Sequence, residues 1–201
     1  MGLSERTLIP GPAGAIETVI DMPADAPLGL ALVAHPHPLY GGTLDNKVVQ
    51  TLAKTFVELG YIAARPNFRG VGQSAGAHDE GRGETDDLLA VAKALRARFD
   101  VAGKALVLAG FSFGSLVQSR VALHIRADRM VFVGTAVTRG KVEAIAGDSI
   151  VIHGEKDDVV PLETVLRWAE PQELPVVVIA GADHFFHRRL HLIRSIIRQA
   201  W

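Results

Sequence analysis

Two patterns of hydrophobic and polar positions alternate along this chain. Some short stretches are almost continuously apolar, as in strands that are buried on both faces of a parallel sheet. Between them, apolar residues recur every three or four positions, as on helices with one buried face. The predicted buried strands are residues 28–34, 61–64, 105–109, 130–133, 149–152 and 176–179. This alternation predicts an α/β fold in which a mostly parallel, twisted sheet carries helices on both faces.

The first part of the chain carries two additional signals. Residues 6–9 and 15–21 flank a Pro-Gly-Pro turn, which predicts a pair of antiparallel strands at one edge of the sheet. Residues 46–59 have helical spacing, and Gly60 is expected to end that helix because glycine readily adopts a positive φ angle.

Further helices are predicted after the glycine-rich loop that begins at Gly70. Either Thr85 or Asp86 is expected to cap the first of them. Residues 113–125 form another apolar-periodic segment, and Pro161 is expected to take the first position of the next helix. A C-terminal helix is predicted by the apolar residues of one face, Leu190, Ile193, Ile196 and Ile197.

Composition limits the possible functions. A chain of 201 residues suits one domain, spanning residues 1–201, with a complete hydrophobic core. The formal net charge of −1 argues against a nucleic-acid or membrane surface, so a small molecule is the expected partner. The absence of cysteine excludes disulfide scaffolds and thiolate chemistry. Without a signal peptide or a membrane-length apolar run, the expected location is the cytoplasm.

The segment Gly110-Phe111-Ser112-Phe113-Gly114 follows a predicted buried strand and opens a predicted helix. A serine on such a tight turn projects from the sheet edge, and the flanking glycines allow strand and helix to approach closely. The Gly-x-Ser-x-Gly pattern also arises by chance in glycine-rich chains, so its context decides. Here an aspartate and a histidine follow in the order Ser, Asp, His.

A serine nucleophile needs a histidine base and a carboxylate that orients the base. His184 lies in an irregular loop after the last predicted strand, at the same end of the sheet as Ser112. His153 and His124 end predicted elements, where a core or capping role is usual, while His187 and His191 lie further along the chain. For the acid, the turn 154–161 contains Asp157 and Asp158, and either aspartate is also suited to cap the helix near Pro161.

The chain resembles the α/β-hydrolase superfamily, and within it the small lidless serine hydrolases related to the dienelactone hydrolase group. The resemblance implies a single-domain α/β-hydrolase fold without a lid domain. It also implies that Ser112 is the nucleophile, Asp157 the orienting acid and His184 the base. The motifs that carry it run almost from end to end: 35–38 through Gly41-Gly42, 67–70 with Gly72 and Ser74, 110–114, 154–161, and 183–186.

The oxyanion loop departs from the family pattern, which frequently has His-Gly where this chain has His35-Pro36. Proline has no N–H, so Pro36 and Pro38 are excluded as donors. We therefore predict an oxyanion hole formed by the backbone N–H groups of His37 and Phe113. A metal pair of His35 and His37 is disfavoured because no third ligand is evident nearby, and no metal or cofactor is expected.

The predicted activity is that of a serine hydrolase that cleaves small carboxylic esters or thioesters through an acyl-enzyme intermediate. Acyl transfer on the same triad and a non-catalytic scaffold that binds ligands remain alternatives. The charged residues Arg69, Asp79, Glu80 and Glu84 are expected to be solvated or internally paired.

The predicted site is open, because residues 134–148 are too few to form a lid domain. The predicted substrate-binding residues are Leu39, Tyr40 and Phe185. Phe113 and Phe186 also adjoin the candidate catalytic groups in the sequence. Of these two residues and the three predicted to bind substrate, about half are expected to be ordinary core.

Overall fold

The computed structural model describes residues 3–201, which form one eight-stranded sheet with helices on both faces. The strands are β1 Ser4–Gly11, β2 Gly14–Asp21, β3 Gly29–Ala34, β4 Tyr61–Pro66, β5 Ala105–Phe111, β6 Arg129–Val133, β7 Ile150–Gly154 and β8 Val176–Ile179. The helices are α1 Lys47–Glu58, α2 Arg82–Arg98, α3 Phe113–Val121, α4 Leu162–Ala169 and α5 Leu190–Ala200.

The sheet is parallel except at one edge. Its strand order is β1-β2-β4-β3-β5-β6-β7-β8. The pairings of β1 with β2 and of β2 with β4 are antiparallel, and all the others are parallel. The predicted α/β fold and its antiparallel edge are therefore confirmed. The carboxyl ends of β3, β5, β7 and β8 meet at the same edge, where sites in such folds are built.

Each face of the sheet packs against its own helices, α1 and α5 on one face and α2, α3 and α4 on the other. On β3, Leu30 and Leu32 belong to the core shared with α2 and α3, whereas Ala31 and Val33 face the core shared with α1 and α5. Successive strand residues point to opposite faces, so a strand covered on both sides must be apolar at every position. This is the physical origin of the continuous apolar runs in the sequence.

The start of α2 differs from the prediction, since neither Thr85 nor Asp86 caps it. Both residues lie inside the helix. The wholly buried carboxylate of Glu84 instead reaches back and accepts from the N–H of Gly81 at 2.8 Å and of Asp79 at 2.9 Å, which lie just before the helix. Asp79 in turn caps the helix, because its Oδ2 atom accepts from the N–H of Gly83 at 3.1 Å.

Two other helix ends also differ from the prediction. The helix predicted to reach residue 125 ends at Val121. Beyond it the chain forms turns with hydrogen bonds between residues three apart, from Leu123 N–H to the Arg120 carbonyl and from His124 N–H to the Val121 carbonyl. Pro161 precedes α4 as its N-cap instead of occupying the first helical position.

The connection between β6 and β7 is short. Residues 134–149 contain turns but neither a helix nor a strand, which confirms the absence of a lid domain at this position. Within residues 3–201, no helix has the length and apolar character needed to span a lipid bilayer.

Candidate active site

Ser112 sits on the turn between β5 and α3 in an unusual backbone conformation, with φ 52° and ψ −119°. Few non-glycine residues occupy this region, and the strain of such positions is typical of functional sites. The flanking glycines make the turn possible. A Cβ at Gly110 would overlap the backbone of Gly114, and one at Gly114 would overlap the carbonyl of Ala34.

Ser112, His184 and Asp157 lie together at the carboxyl edge of the sheet. The Nε2 atom of His184 is 3.0 Å from Ser112 Oγ, and its Nδ1 atom is 2.7 Å from Asp157 Oδ2. Their relative exposures are 8%, 2% and 7% for the serine, histidine and aspartate, so all three residues are buried at the base of the site. The structure thus brings together the three residues that the sequence selected.

The neighbouring aspartates are distinguished by their surroundings. Asp157 is buried, and while Oδ2 faces His184, its Oδ1 atom accepts from the N–H of Val159 at 3.0 Å and of Val160 at 2.7 Å. Asp158 is exposed to solvent. Asp157 therefore fills both roles: its Oδ1 atom holds the turn and its Oδ2 atom faces the histidine.

Within residues 3–201, none of the other histidines forms a hydrogen bond with Ser112. His124 and His191 are exposed, and His187 pairs with Asp183 on the surface at 2.7 Å. His153 is wholly buried, as the sequence suggested for a core histidine.

The backbone N–H groups predicted for the oxyanion hole belong to His37 and Phe113. Neither group donates to an acceptor within residues 3–201. Both residues line the same cavity of about 250 Å³ as Ser112 and His184. Because Phe113 is the first residue of α3, the positive end of that helix dipole is also directed toward the cavity.

His35 supports the oxyanion loop from below. It is wholly buried, its Nε2 accepts the N–H of Phe68 at 2.9 Å, and its Nδ1 lies 2.6 Å from the Pro36 carbonyl. A carbonyl only accepts, so Nδ1 carries the proton. Burial lowers the pKa of His35 to about 4, which keeps the ring neutral. The Pro36 carbonyl and the His37 N–H belong to one peptide plane, so His35 fixes the direction of that N–H.

Replacing His35 with phenylalanine tests this support, because an aromatic ring of somewhat larger size remains while both hydrogen bonds are lost. We expect stability to fall by about 2 to 4 kcal/mol, since the Phe68 N–H and the Pro36 carbonyl are left unpaired. We also expect kcat to fall about 10- to 100-fold through a displaced oxyanion donor. Urea unfolding and ester kinetics measure the two effects.

The control for this experiment is Phe68→Leu, which keeps the backbone N–H but removes the ring that packs on His35 with centroids 4.4 Å apart. It should lower stability with little loss of kcat. An unchanged kcat in folded His35→Phe would contradict the assigned role of His35.

The cavity beside Ser112 has mainly apolar walls. Tyr40 and Phe185 line it as predicted for substrate-binding residues, whereas Leu39 is 70% exposed and is not part of the lining. Phe186, one of the rim candidates, is wholly buried core. The sequence reasoning missed several lining residues, namely Gly41, Gly42, Asn46, Arg139 and Val159.

Arg139 brings a charge to this cavity. Its guanidinium lies 5.2 Å above the centre of the Tyr40 ring. The pKa of His37 is lowered mainly by partial burial, and further by the nearby His78 and Arg139. No motif in the sequence marks Arg139, because its place beside the cavity depends on the course of the loop after β6.

The charged side chains that the sequence analysis kept out of the site have structural partners. Arg69 forms an ion pair with the buried Asp87 at 2.8 Å, and Glu84 holds the start of α2. Asp79 pairs with Arg82 on the surface. His35, considered above as a metal ligand, has protein partners at both ring nitrogens.

Comparison with known proteins places this geometry in context. The model of the prolyl oligopeptidase family matches residues 47–129. A Xanthomonas campestris structure described as an α/β serine hydrolase without a lid is 34% identical, covers 98% of this chain and 93% of its own, and superposes with a TM-score of 0.92. An α/β serine hydrolase homologue from Coxiella burnetii is 37% identical, with coverages of 97% and 96% and a TM-score of 0.86. An uncharacterized Rickettsia prowazekii protein is 34% identical over 191 residues, which is 88% of this chain and 79% of that protein.

Proposed function

Because this chain belongs to the α/β serine hydrolases without a lid, we propose that it cleaves small carboxylic esters or thioesters through an acyl-enzyme. The observation that carries the proposal is the contact chain from Asp157 through His184 to Ser112, beside two backbone N–H groups that have no acceptor within residues 3–201. A nucleophile, a base, an orienting acid and donors for an oxyanion are the groups that acyl transfer requires.

In the proposed reaction, His184 Nε2 takes the proton from Ser112 Oγ as this oxygen attacks the substrate carbonyl carbon. Asp157 Oδ2 accepts the hydrogen bond from His184 Nδ1–H, which holds the correct tautomer and stabilises the imidazolium as it forms. The carbonyl oxygen becomes an oxyanion and accepts hydrogen bonds from the N–H groups of His37 and Phe113.

The tetrahedral intermediate then collapses. The bond from carbon to the leaving alcohol or thiol breaks, and His184 returns its proton to that group. The acyl group is left on Ser112 Oγ. Water, activated by the same histidine, attacks this ester and releases the carboxylic acid, which restores the serine.

The backbone of Ser112 argues against the alternative of a non-catalytic scaffold. A residue held at φ 52° and ψ −119° carries strain of about 1 to 3 kcal/mol. A scaffold that only binds ligands has no use for a strained serine whose hydroxyl faces a histidine and a buried carboxylate.

The size and openness of the cavity predict a preference for short acyl chains. Its volume is about 250 Å³, and residues 134–149 provide no lid that covers a longer chain. Each further methylene contributes about 0.8 kcal/mol, or about fourfold in kcat/KM, only where protein covers it. We expect kcat/KM to be highest for short members of an aryl ester series from acetyl to palmitoyl.

The same preparation should react with a fluorophosphonate, and peptide mass spectrometry should place the adduct on Ser112. No ester turnover and no adduct would overturn the proposed function. A maximum at long acyl chains, or a jump in rate at a lipid interface, would instead contradict only the predicted chain length.

A further inference from the structure

A second histidine lies against the candidate catalytic acid. His153, near the end of β7, is wholly buried, and its Nε2 atom is 2.9 Å from the Val160 carbonyl and 3.4 Å from Asp157 Oδ2. Its Nδ1 atom is buried and has no hydrogen-bond partner among residues 3–201. A core histidine retained only for packing would leave this arrangement unexplained.

The hydrogen-bond partners determine where the proton of His153 lies. The Val160 carbonyl only accepts, so Nε2 must carry the hydrogen and Nδ1 must be unprotonated. Burial is the main influence on the ring and lowers the pKa of His153, which agrees with a neutral imidazole. Its Nε2–H is therefore directed at the Val160 carbonyl, and Asp157 Oδ2 lies 3.4 Å from the same nitrogen.

Val160 connects His153 to the other oxygen of the same carboxylate. The N–H of Val160 donates to Asp157 Oδ1 at 2.7 Å, while its carbonyl accepts from His153. Val160 is itself wholly buried. His153 is thus linked to Asp157 Oδ1 through hydrogen bonds to Val160, and its Nε2 atom also lies near Asp157 Oδ2.

These contacts bear on the orientation of the acid. Asp157 Oδ2 lies between His184 Nδ1 at 2.7 Å and His153 Nε2 at 3.4 Å. If the carboxylate could rotate, Oδ2 would no longer stay within hydrogen-bond distance of His184 Nδ1. The turn that carries Asp157 is tied to β7 by the bond from His153 to the Val160 carbonyl.

We propose that His153 is a positioning residue for catalysis: it fixes the turn 157–160 and offers a second N–H dipole to Asp157 Oδ2, so that this oxygen stays aimed at His184. This inference rests on the proposed function. It assigns no contact with substrate to His153.

The test compares His153→Phe, which keeps a ring but no N–H, with His153→Gln, whose amide N–H partly replaces the imidazole donor. We expect His153→Phe to lower kcat about tenfold or more, with KM within about twofold, because substrate binding is not altered. His153→Gln should recover most of the lost kcat. The control His124→Phe, at an exposed histidine three residues beyond the end of α3, should leave both constants unchanged.

A spectroscopic measurement separates positioning from simple structural support. The downfield proton resonance of His184 Nδ1–H should move in His153→Phe and return toward its original position in His153→Gln. A second measurement needs no change at His153. In ¹⁵N-labelled protein, Asp157→Asn should shift the His153 Nε2 signal, and wild-type His153 should be the neutral Nε2–H tautomer.

Three results would overturn the inference: an unchanged kcat in folded His153→Phe, equal losses in the phenylalanine and glutamine variants with an unmoved His184 resonance, or a His153 signal insensitive to Asp157→Asn. Failure of the proposed function would look different. It would be an absence of turnover and of a Ser112 adduct in the wild-type protein.

Discussion

Ser112→Ala is expected to lower kcat for short aryl esters by about five to six powers of ten and to abolish the covalent fluorophosphonate adduct. The variant lacks the oxygen that attacks the carbonyl and accepts the acyl group. The residual rate should come from water held near the oxyanion donors, which is how hydrolases without their nucleophile behave. Steady-state kinetics and intact-protein mass spectrometry measure the two effects.

The fold should survive this change, because Ser112 Oγ makes its contact with His184 and the Ser112 backbone is held by neighbours. Its N–H donates to the Val133 carbonyl at 2.9 Å. The matched control is Ser119→Ala on α3, where the hydroxyl donates to the Leu116 carbonyl at 2.7 Å. This control should leave the adduct intact. A wild-type adduct on Ser74 or Ser115 would show that the nucleophile has been misassigned.

Asp157→Asn is the second change with a large expected effect, a loss of about four powers of ten in kcat. An asparagine amide that donates to His184 Nδ1 forces the proton onto Nε2, which then cannot accept the proton of Ser112. The remaining amide oxygen can still accept from the N–H groups of Val159 and Val160, so the turn is retained. Ester kinetics together with thermal unfolding separate the loss of activity from loss of fold.

The adjacent Asp158 provides the control. It is exposed, so Asp158→Asn should change kcat by less than about threefold. Should the two variants rank in the opposite order, Asp158 would be the acid and the position implied by the family resemblance would be wrong by one residue.

The sheet and the serine turn were accessible from the sequence because their causes are local. Burial on both faces requires continuous apolar runs, and the close approach of α3 to β5 and to β3 requires Gly110 and Gly114 respectively. The strand pattern therefore predicted the architecture. The turn indicated Ser112 and the loop after the last strand indicated His184, whereas the choice of Asp157 over Asp158 came from the family resemblance.

Features that depend on the detailed geometry of side chains and loops were not accessible in this way. The start of α2 is held by the carboxylates of Asp79 and Glu84, and the sequence offers Thr85 and Asp86 as equally plausible caps. Arg139 reaches the cavity through the path of a loop. The contacts of His153 and His35 depend on which ring nitrogen faces which carbonyl, and the sequence does not encode this as a pattern.

The position of His184 in the chain has a consequence for the life of the protein in a cell. His184 follows β8, the last strand, and lies 72 residues beyond Ser112. During synthesis the serine therefore emerges from the ribosome well before its base, and the two meet only when the final strand has joined the sheet. A nascent or partly unfolded chain carries an unactivated serine, so the proposed hydrolase becomes competent only in its finished form.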